Sequence, residues 1–292
     1  YPFEHAILVT LNFIGVSLSA TKYLLALVFT LLFIAGVGTL VRTLSGLDRG
    51  LVGGVAVATP LVFSKFHLTL HPAVLSLMLF PLILAAHERF RRHHTGQYGI
   101  LATLLGFGVI FFHPVSMGIL VTVLVAIAAY SRGYSRLLTK RVRVASPLLA
   151  LAIIPTAFVW YSSFSRTTSM VNRIVTGLTT GTSGAFTRKS TQAASAELTT
   201  LQIAIRFVEI YGVVFLYFIL AGVFGLLVVR NFYNGDRNYT DPYVIVQLVL
   251  GFVFATAFLG IYLIAFEPIR VSQYLIISSV IAAGVLFTRN FL

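Results

Sequence analysis

Long apolar runs separated by short polar breaks dominate the chain. Runs at roughly 22–41, 50–64, 72–87, 98–112, 114–130, 146–164, 206–229, 243–265 and 270–288 approach the ~18–20 apolar residues that cross a bilayer as a helix. Several contain Gly or Pro, which membrane helices tolerate because neighbouring helices re-satisfy the freed backbone groups. The pattern predicts an all-α, polytopic transmembrane helical bundle of about nine spans, with residues 1–292 forming a single transmembrane domain. The opening stretch, YPFEHAILVTLNFIGVSLSATK, differs. Its apolar run from Ala6 to Leu18 is broken by Asn12, Gly15 and Ser17, which predicts an N-terminal interfacial or re-entrant helix.

Composition strengthens this picture. Of 292 residues, 58% are hydrophobic and 10% are charged, whereas soluble domains carry about 25% charged residues. The mean hydropathy is +0.94. A net charge of +13 in such a chain points to membrane topology and gives no reason to expect a nucleic-acid partner. The absence of cysteine excludes disulfides, thiolate metal sites and Cys nucleophiles. The sequence starts at Tyr1 without Met, and YPFEH is not the basic start of a signal peptide, so an upstream part of a longer protein is expected.

Lys and Arg fall in alternate loops. Arg42 and Arg49 lie in 42–49, and Arg89, Arg91 and Arg92 in 88–97. Arg132, Arg136, Lys140, Arg141 and Arg143 lie in 131–145, Arg230 and Arg237 in 230–242, and Arg289 near the end. Alternate loops share one side, and the positive-inside rule makes it the cytoplasm. A plasma-membrane protein follows, with Tyr1 outside and Leu292 inside. His87, His93 and His94 then belong to the inner face, and the spans are expected to be nearly free of buried charge. Residues 165–205 form a long extracytoplasmic loop rich in Ser and Thr, with Arg166, Arg173, Arg188 and Lys189. It reads equally as a solvated linker or as a substrate-binding lid. Asn238-Tyr239-Thr240 matches an N-glycosylation pattern on the inner side, where it is a chance match.

The outer rim gathers Glu4, His5, Lys65, His67, His71, His113, Glu267 and Arg270. Two His-Pro pairs, His71-Pro72 and His113-Pro114, stand where the chain re-enters the membrane. Proline suits a first helical turn, where its missing N–H leaves no gap, so each His reads first as a helix cap. A metal reading uses the i, i+4 spacing of His67 and His71 with His113 or Glu4, but Pro72 disfavours helix at the residue before it. The third reading has these His residues lining an outward cavity that binds phosphate or sugar. Glu267 and Arg270 bracket the last outer turn, either as a helix-start ion pair or with Arg270 as an anion ligand facing the bundle.

Three stretches resemble the GT-C superfamily of polyprenyl-phosphate-sugar-dependent membrane glycosyltransferases: YPFEHAILVTLNFIGVSLSATKYLLALVFTLLFIAGVGTLVRTLSG, GLVGGVAVATPLVFSKFHLTLHPAVLSLMLFPLILAAHERF and EPIRVSQYLIISSVIAAGVLF. The resemblance implies a lipid-linked sugar donor entering from the membrane, an unspecified acceptor, and transfer on the extracytoplasmic face. Its donor phosphate would be held by Arg270, Lys65 and the His residues. Substrate-binding positions would be His5, Lys65, His67, His71, His113, Glu267 and Arg270. A divalent cation, magnesium or manganese, stays open as a cofactor. Two departures stand beside it. The family's catalytic acid falls upstream of Tyr1, leaving Glu4 as the nearest carboxylate, and the outer turn carries Lys65, His67 and His71 with no acid. A transporter or lipid flippase, and a non-catalytic membrane protein of the same fold, remain alternatives.

Overall fold

A computed structural model describes residues 2–62, 72–137, 143–164, 199–235, 241–250 and 268–290, with isolated positions at 169, 172 and 176. All regular structure among the described residues is helical. The elements are α1 (Pro2–Phe13), α2 (Leu18–Ser45), α3 (Gly50–Val62), α4 (Pro72–Met78), α5 (Phe80–His93), α6 (Gly96–Phe112), α7 (Pro114–Leu137), α8 (Leu148–Ser162) and α9 (Thr200–Tyr233). A helical stretch over 242–250, here α10, and α11 (Pro268–Asn290) complete the order.

Among the described residues, four helices are long and apolar enough to cross a membrane: Leu18–Ser45, Ala73–His93, Pro114–Arg136 and Gly212–Tyr233. Gly50–Val62, Gly96–Phe112, Leu148–Ser162 and Ile276–Asn290 are shorter apolar helices. The span-length stretch Ala73–His93 is made of α4 and α5 joined through a turn at Leu79. Pro81 explains the interruption, because it has no N–H to donate to the carbonyl four residues back.

The packing has a clear centre. α4 and the first turns of α5 are buried almost all round, from Ala73 to Glu88, as a helix enclosed by neighbours must be. α2 packs against α1, α3, α4, α5 and α11, whereas α6, α7 and α8 pack on one another and reach the centre through α4 and α5. α9 lies against α11. Tyrosine hydroxyls tie helices together: Tyr217 on α9 donates to the Val57 carbonyl of α3, and Tyr161 on α8 donates to Ile110 of α6. Ser278 donates to Gln247 at 2.7 Å between α11 and α10.

The outer faces are apolar. Leu216, Ile219, Val223 and Leu226 of α9 recur at helical spacing and are exposed, Ile219 by 63% and Leu226 by 72%. Leu24, Leu27, Val28 and Leu31 do the same on α2. A continuous apolar stripe of this size is unfavourable in water and matches the acyl chains of a bilayer. α2 and α3 approach each other closely between Gly38 and Gly54. A Cβ on Gly54 would stand 2.6 Å from the Gly38 Cα and 2.9 Å from the Val37 carbonyl oxygen. Small residues allow such contact between membrane helices, where dispersion rather than water exclusion drives association.

The observed ends differ from the expected ones at two places. α5 runs to His93, so much of the loop expected at 88–97 is helix. The last residues of the expected 165–205 loop belong to α9, whose start is fixed by a capping box: the Gln202 N–H donates to Thr199 Oγ1 at 3.3 Å and the Thr199 N–H to Gln202 Oε1 at 2.9 Å. The N-terminal helix is present as α1, and it ends in a turn with Gly15 at φ 94°.

Gly54→Ala forces backbone apart and is expected to cost about 1–3 kcal/mol. Gly108→Ala, where an added Cβ meets open space, should leave stability within about 0.5 kcal/mol. Thermal unfolding of the detergent-purified variants measures the contrast.

Candidate functional site at the basic end of the bundle

The last turns of α5 read HERFRRH. Helical spacing puts Arg91 and Arg92 three and four residues after Glu88, on its own face. Glu88 is fully buried. Arg91 grips it with two parallel bonds, Nε to Oε2 at 2.6 Å and Nη2 to Oε1 at 2.6 Å. Arg92 Nε also donates to Oε1. One carboxylate is thus shared by two guanidiniums, a strong charge-assisted geometry.

The second acid comes from a distant part of the chain. Asp241 precedes Pro242 and caps α10, its Oδ1 accepting the Tyr243 N–H at 2.9 Å. Its Oδ2 accepts from Arg92 Nη2 at 2.8 Å and lies 3.7 Å from Arg91 Nη2. Burial first, and then the Glu88 carboxylate, push the Asp241 carboxyl above the ordinary aspartate range; Arg92 and Arg91 act against that shift.

The network then spreads across the bundle end. Arg91 Nη1 donates to the Arg143 carbonyl at 2.6 Å, and its guanidinium lies 5.8 Å from the Tyr243 ring centre. His87 Nε2 meets the Ser146 carbonyl at 3.4 Å, while His87 Nδ1 meets the Tyr243 hydroxyl. A carbonyl only accepts, so Nε2 carries the proton and Nδ1 takes the hydroxyl's. Arg89 Nε donates to Thr43 Oγ1 at 3.4 Å, Arg289 Nη2 to the Leu44 carbonyl at 3.5 Å, and Ala145 N–H to Ser131 Oγ at 3.0 Å. The basic segments 42–49, 88–97 and 131–145, the 241 end of 230–242, and Arg289 therefore meet at one end of the molecule.

Two cavities open beside this end. One of about 520 Å³ is mainly apolar and is lined by Phe90, Ile100, Leu104, Leu148 and Leu149, with His87, Thr103 and Ser146 as polar members. The other, of about 340 Å³, is polar and is lined by Arg42, Thr43, Asp48, Arg89, Arg92, His93 and Tyr98 among others.

Of the outer-rim positions, only His5 and His113 have described side chains. His5 is exposed on α1. His113 is buried between α6 and α7, and its Nδ1 accepts the Ser116 N–H at 3.4 Å, so it caps α7 ahead of Pro114. Glu4 lies on α1 and Arg270 in the first turn of α11 by their backbones. Lys65, His67, His71 and Glu267 lie outside the described residues, as do most of 165–198 and the Asn238-Tyr239-Thr240 pattern. Among the described residues, no group of three or more His, Asp or Glu side chains is placed to hold a metal ion.

One expectation is corrected. Glu88 and Arg91, expected in the loop at 88–97 beyond the 72–87 span, are instead buried side chains of a helix that runs on to His93. Counting Arg by loop hid them, because i, i+3 and i, i+4 pairing neutralises the charges inside the helix. Two signals were available in the sequence, the E-x-x-R-R spacing and the Asp-Pro before an apolar run.

Glu88→Ala would leave the Arg91 and Arg92 guanidiniums with Asp241 as their one remaining carboxylate, and a loss of about 3–5 kcal/mol in unfolding free energy is expected. Replacing Glu88 and Arg91 together with Leu should cost less than the sum of the single replacements. A double-mutant cycle on purified protein measures that coupling.

No protein-family model, curated protein or solved structure matches this chain.

Proposed function

We propose that the chain is a nine-span plasma-membrane protein whose basic end faces the cytoplasm, and that it transfers a sugar from a polyprenyl-phosphate donor on the opposite face. The observation that carries this reading is the convergence of the basic segments at one end. Alternate connections share that end, so the helix starts at Pro72, Pro114 and Pro268 fall on the other. There the resemblance to GT-C enzymes assigns Arg270, Lys65, His67 and His71 to the donor phosphate. Bond formation from an acceptor oxygen to the anomeric carbon accompanies cleavage of the sugar–phosphate bond. The acceptor proton passes to a carboxylate, for which Glu4 is the nearest residue in this chain. Cations around the departing phosphate stabilise charge as it develops.

Transport is the second reading, and the buried Glu88–Arg91–Arg92–Asp241 network is what favours it. The network's internal closure favours anchoring instead, because each of its four charges already has a partner of opposite sign.

The lack of native cysteine makes single-cysteine labelling clean. Cysteines at Ser45 and Ser146 should react only from the cytoplasmic side, and cysteines at Ser163 and Thr199 only from outside. A mixed pattern would sink the nine-span topology. For the chemistry, membranes carrying the protein should move labelled sugar from a polyprenyl-phosphate donor. Arg270→Ala should lower the rate by about a hundredfold if it holds the leaving phosphate. Equal rates in Arg270→Ala and the parent would remove Arg270 from the site, and accumulation of unmodified donor in vesicles would favour transport.

A further inference from the structure

We propose that the polar cavity between the ends of α2 and α5 and the start of α6 is a phosphate-binding site on the basic face, separate from the proposed transfer site. Its lining residues include Arg42, Arg89, Arg92, His93, Thr43 and Tyr98. Among the described residues, Asp48 is the one carboxylate in that wall.

Charge bookkeeping decides which group would hold an anion. Among the described residues, the cavity lining and the ion pairs it shares bring together the guanidiniums of Arg42, Arg89, Arg91 and Arg92 and the carboxylates of Asp48, Glu88 and Asp241. Arg91 and Arg92 are matched by Glu88 and Asp241, and Arg42 by Asp48. Arg89 is left over. Its Nε donates to Thr43 and its guanidinium lies 5.5 Å from the centre of the Tyr98 ring. These contacts fix the plane of the fork. Among the described residues its two terminal nitrogens have no protein acceptor, and it has no carboxylate partner. A half-buried, pre-oriented guanidinium with its outer edge unused suits bidentate recognition of a phosphate.

Arg42 supplies a second contact at small cost. Its ion pair with Asp48 is made at 2.6 Å, but Asp48 is 92% exposed. Such surface pairs contribute little, so an incoming phosphate can displace the carboxylate. At about 340 Å³ the cavity is at the small end of the ~300–1,000 Å³ range of ligand pockets, which suits a headgroup better than a whole lipid. The phosphate could come from an anionic lipid headgroup in the adjacent leaflet or from a soluble phosphate, and both present the same chemistry to Arg89.

The test uses the full chain in nanodiscs of phosphatidylcholine, with and without phosphatidylglycerol, and native mass spectrometry after release. The expected result is retained phosphatidylglycerol at low stoichiometry. Occupancy should fall about tenfold in Arg89→Gln, the loss of one charge-assisted bond pair, and should change little in Arg136→Gln, an exposed cation outside the cavity. Arg89→Lys, which keeps the charge but not the fork, should fall between. Titration of inorganic phosphate against wild-type protein in phosphatidylcholine alone separates the sources. Binding there that Arg89→Gln abolishes, without retained lipid, assigns the site to a soluble phosphate. Equal lipid retention in Arg89→Gln and Arg136→Gln, together with no phosphate binding, overturns the proposal in favour of diffuse surface charge. Failure of sugar transfer leaves this outcome unaffected, because no residue is shared between the two sites.

Discussion

Glu88 sets the terms on which the basic end of this protein can fold. A carboxylate removed from water costs several kcal/mol unless partners replace its hydration. Here two guanidiniums from the next helical turn do so, and each then needs acceptors of its own. Arg92 finds Asp241, and Arg91 finds the Arg143 carbonyl. Those acceptors lie far away in sequence, so satisfying one buried acid ties the end of α5 to the segment before α8 and to the start of α10. The desolvation demand of a single residue becomes a statement about which helix ends must meet.

The rest of the bundle follows different physics. Between α2 and α3, backbone contact through Gly38 and Gly54 replaces side-chain interdigitation, as expected where lipid tails compete equally for apolar side chains. On α9 the same apolar residues that would drive burial in water stay on the surface. The centre, α4 and α5, is enclosed, and the periphery is greasy. The molecule thus inverts the soluble pattern on its flanks while gathering most of its described ion pairs at one end.

This polarity organises the functional readings. The basic end is crowded with paired ions and holds a polar cavity with one unmatched guanidinium. The other end carries the proline-started helices, with His113 committed to capping α7. The Ser116 N–H at 3.4 Å from His113 Nδ1 places this imidazole at the start of α7, where the chain turns from α6.

How much of this could be read from the chain depends on the range of the interaction. Apolar periodicity gave the all-helical class and the position of most helices, because membrane helices form from local hydrogen bonds within one apolar run. Proline at Pro114 and the Thr199 to Gln202 capping box mark helix starts for the same local reason. Loop counting of Lys and Arg singled out the segments that the structure brings together. What the sequence could not decide was where each charge goes. In the sequence Glu88 reads as part of a basic loop, since nothing local distinguishes a solvated E-x-x-R-R from a buried one. Its burial depends on α10 delivering Asp241 and on the 143–146 segment delivering a carbonyl, and both are contacts across more than fifty residues. Arg89 was likewise one cation among many in the sequence. Only the tertiary structure, by pairing its neighbours and leaving it over, made it distinct.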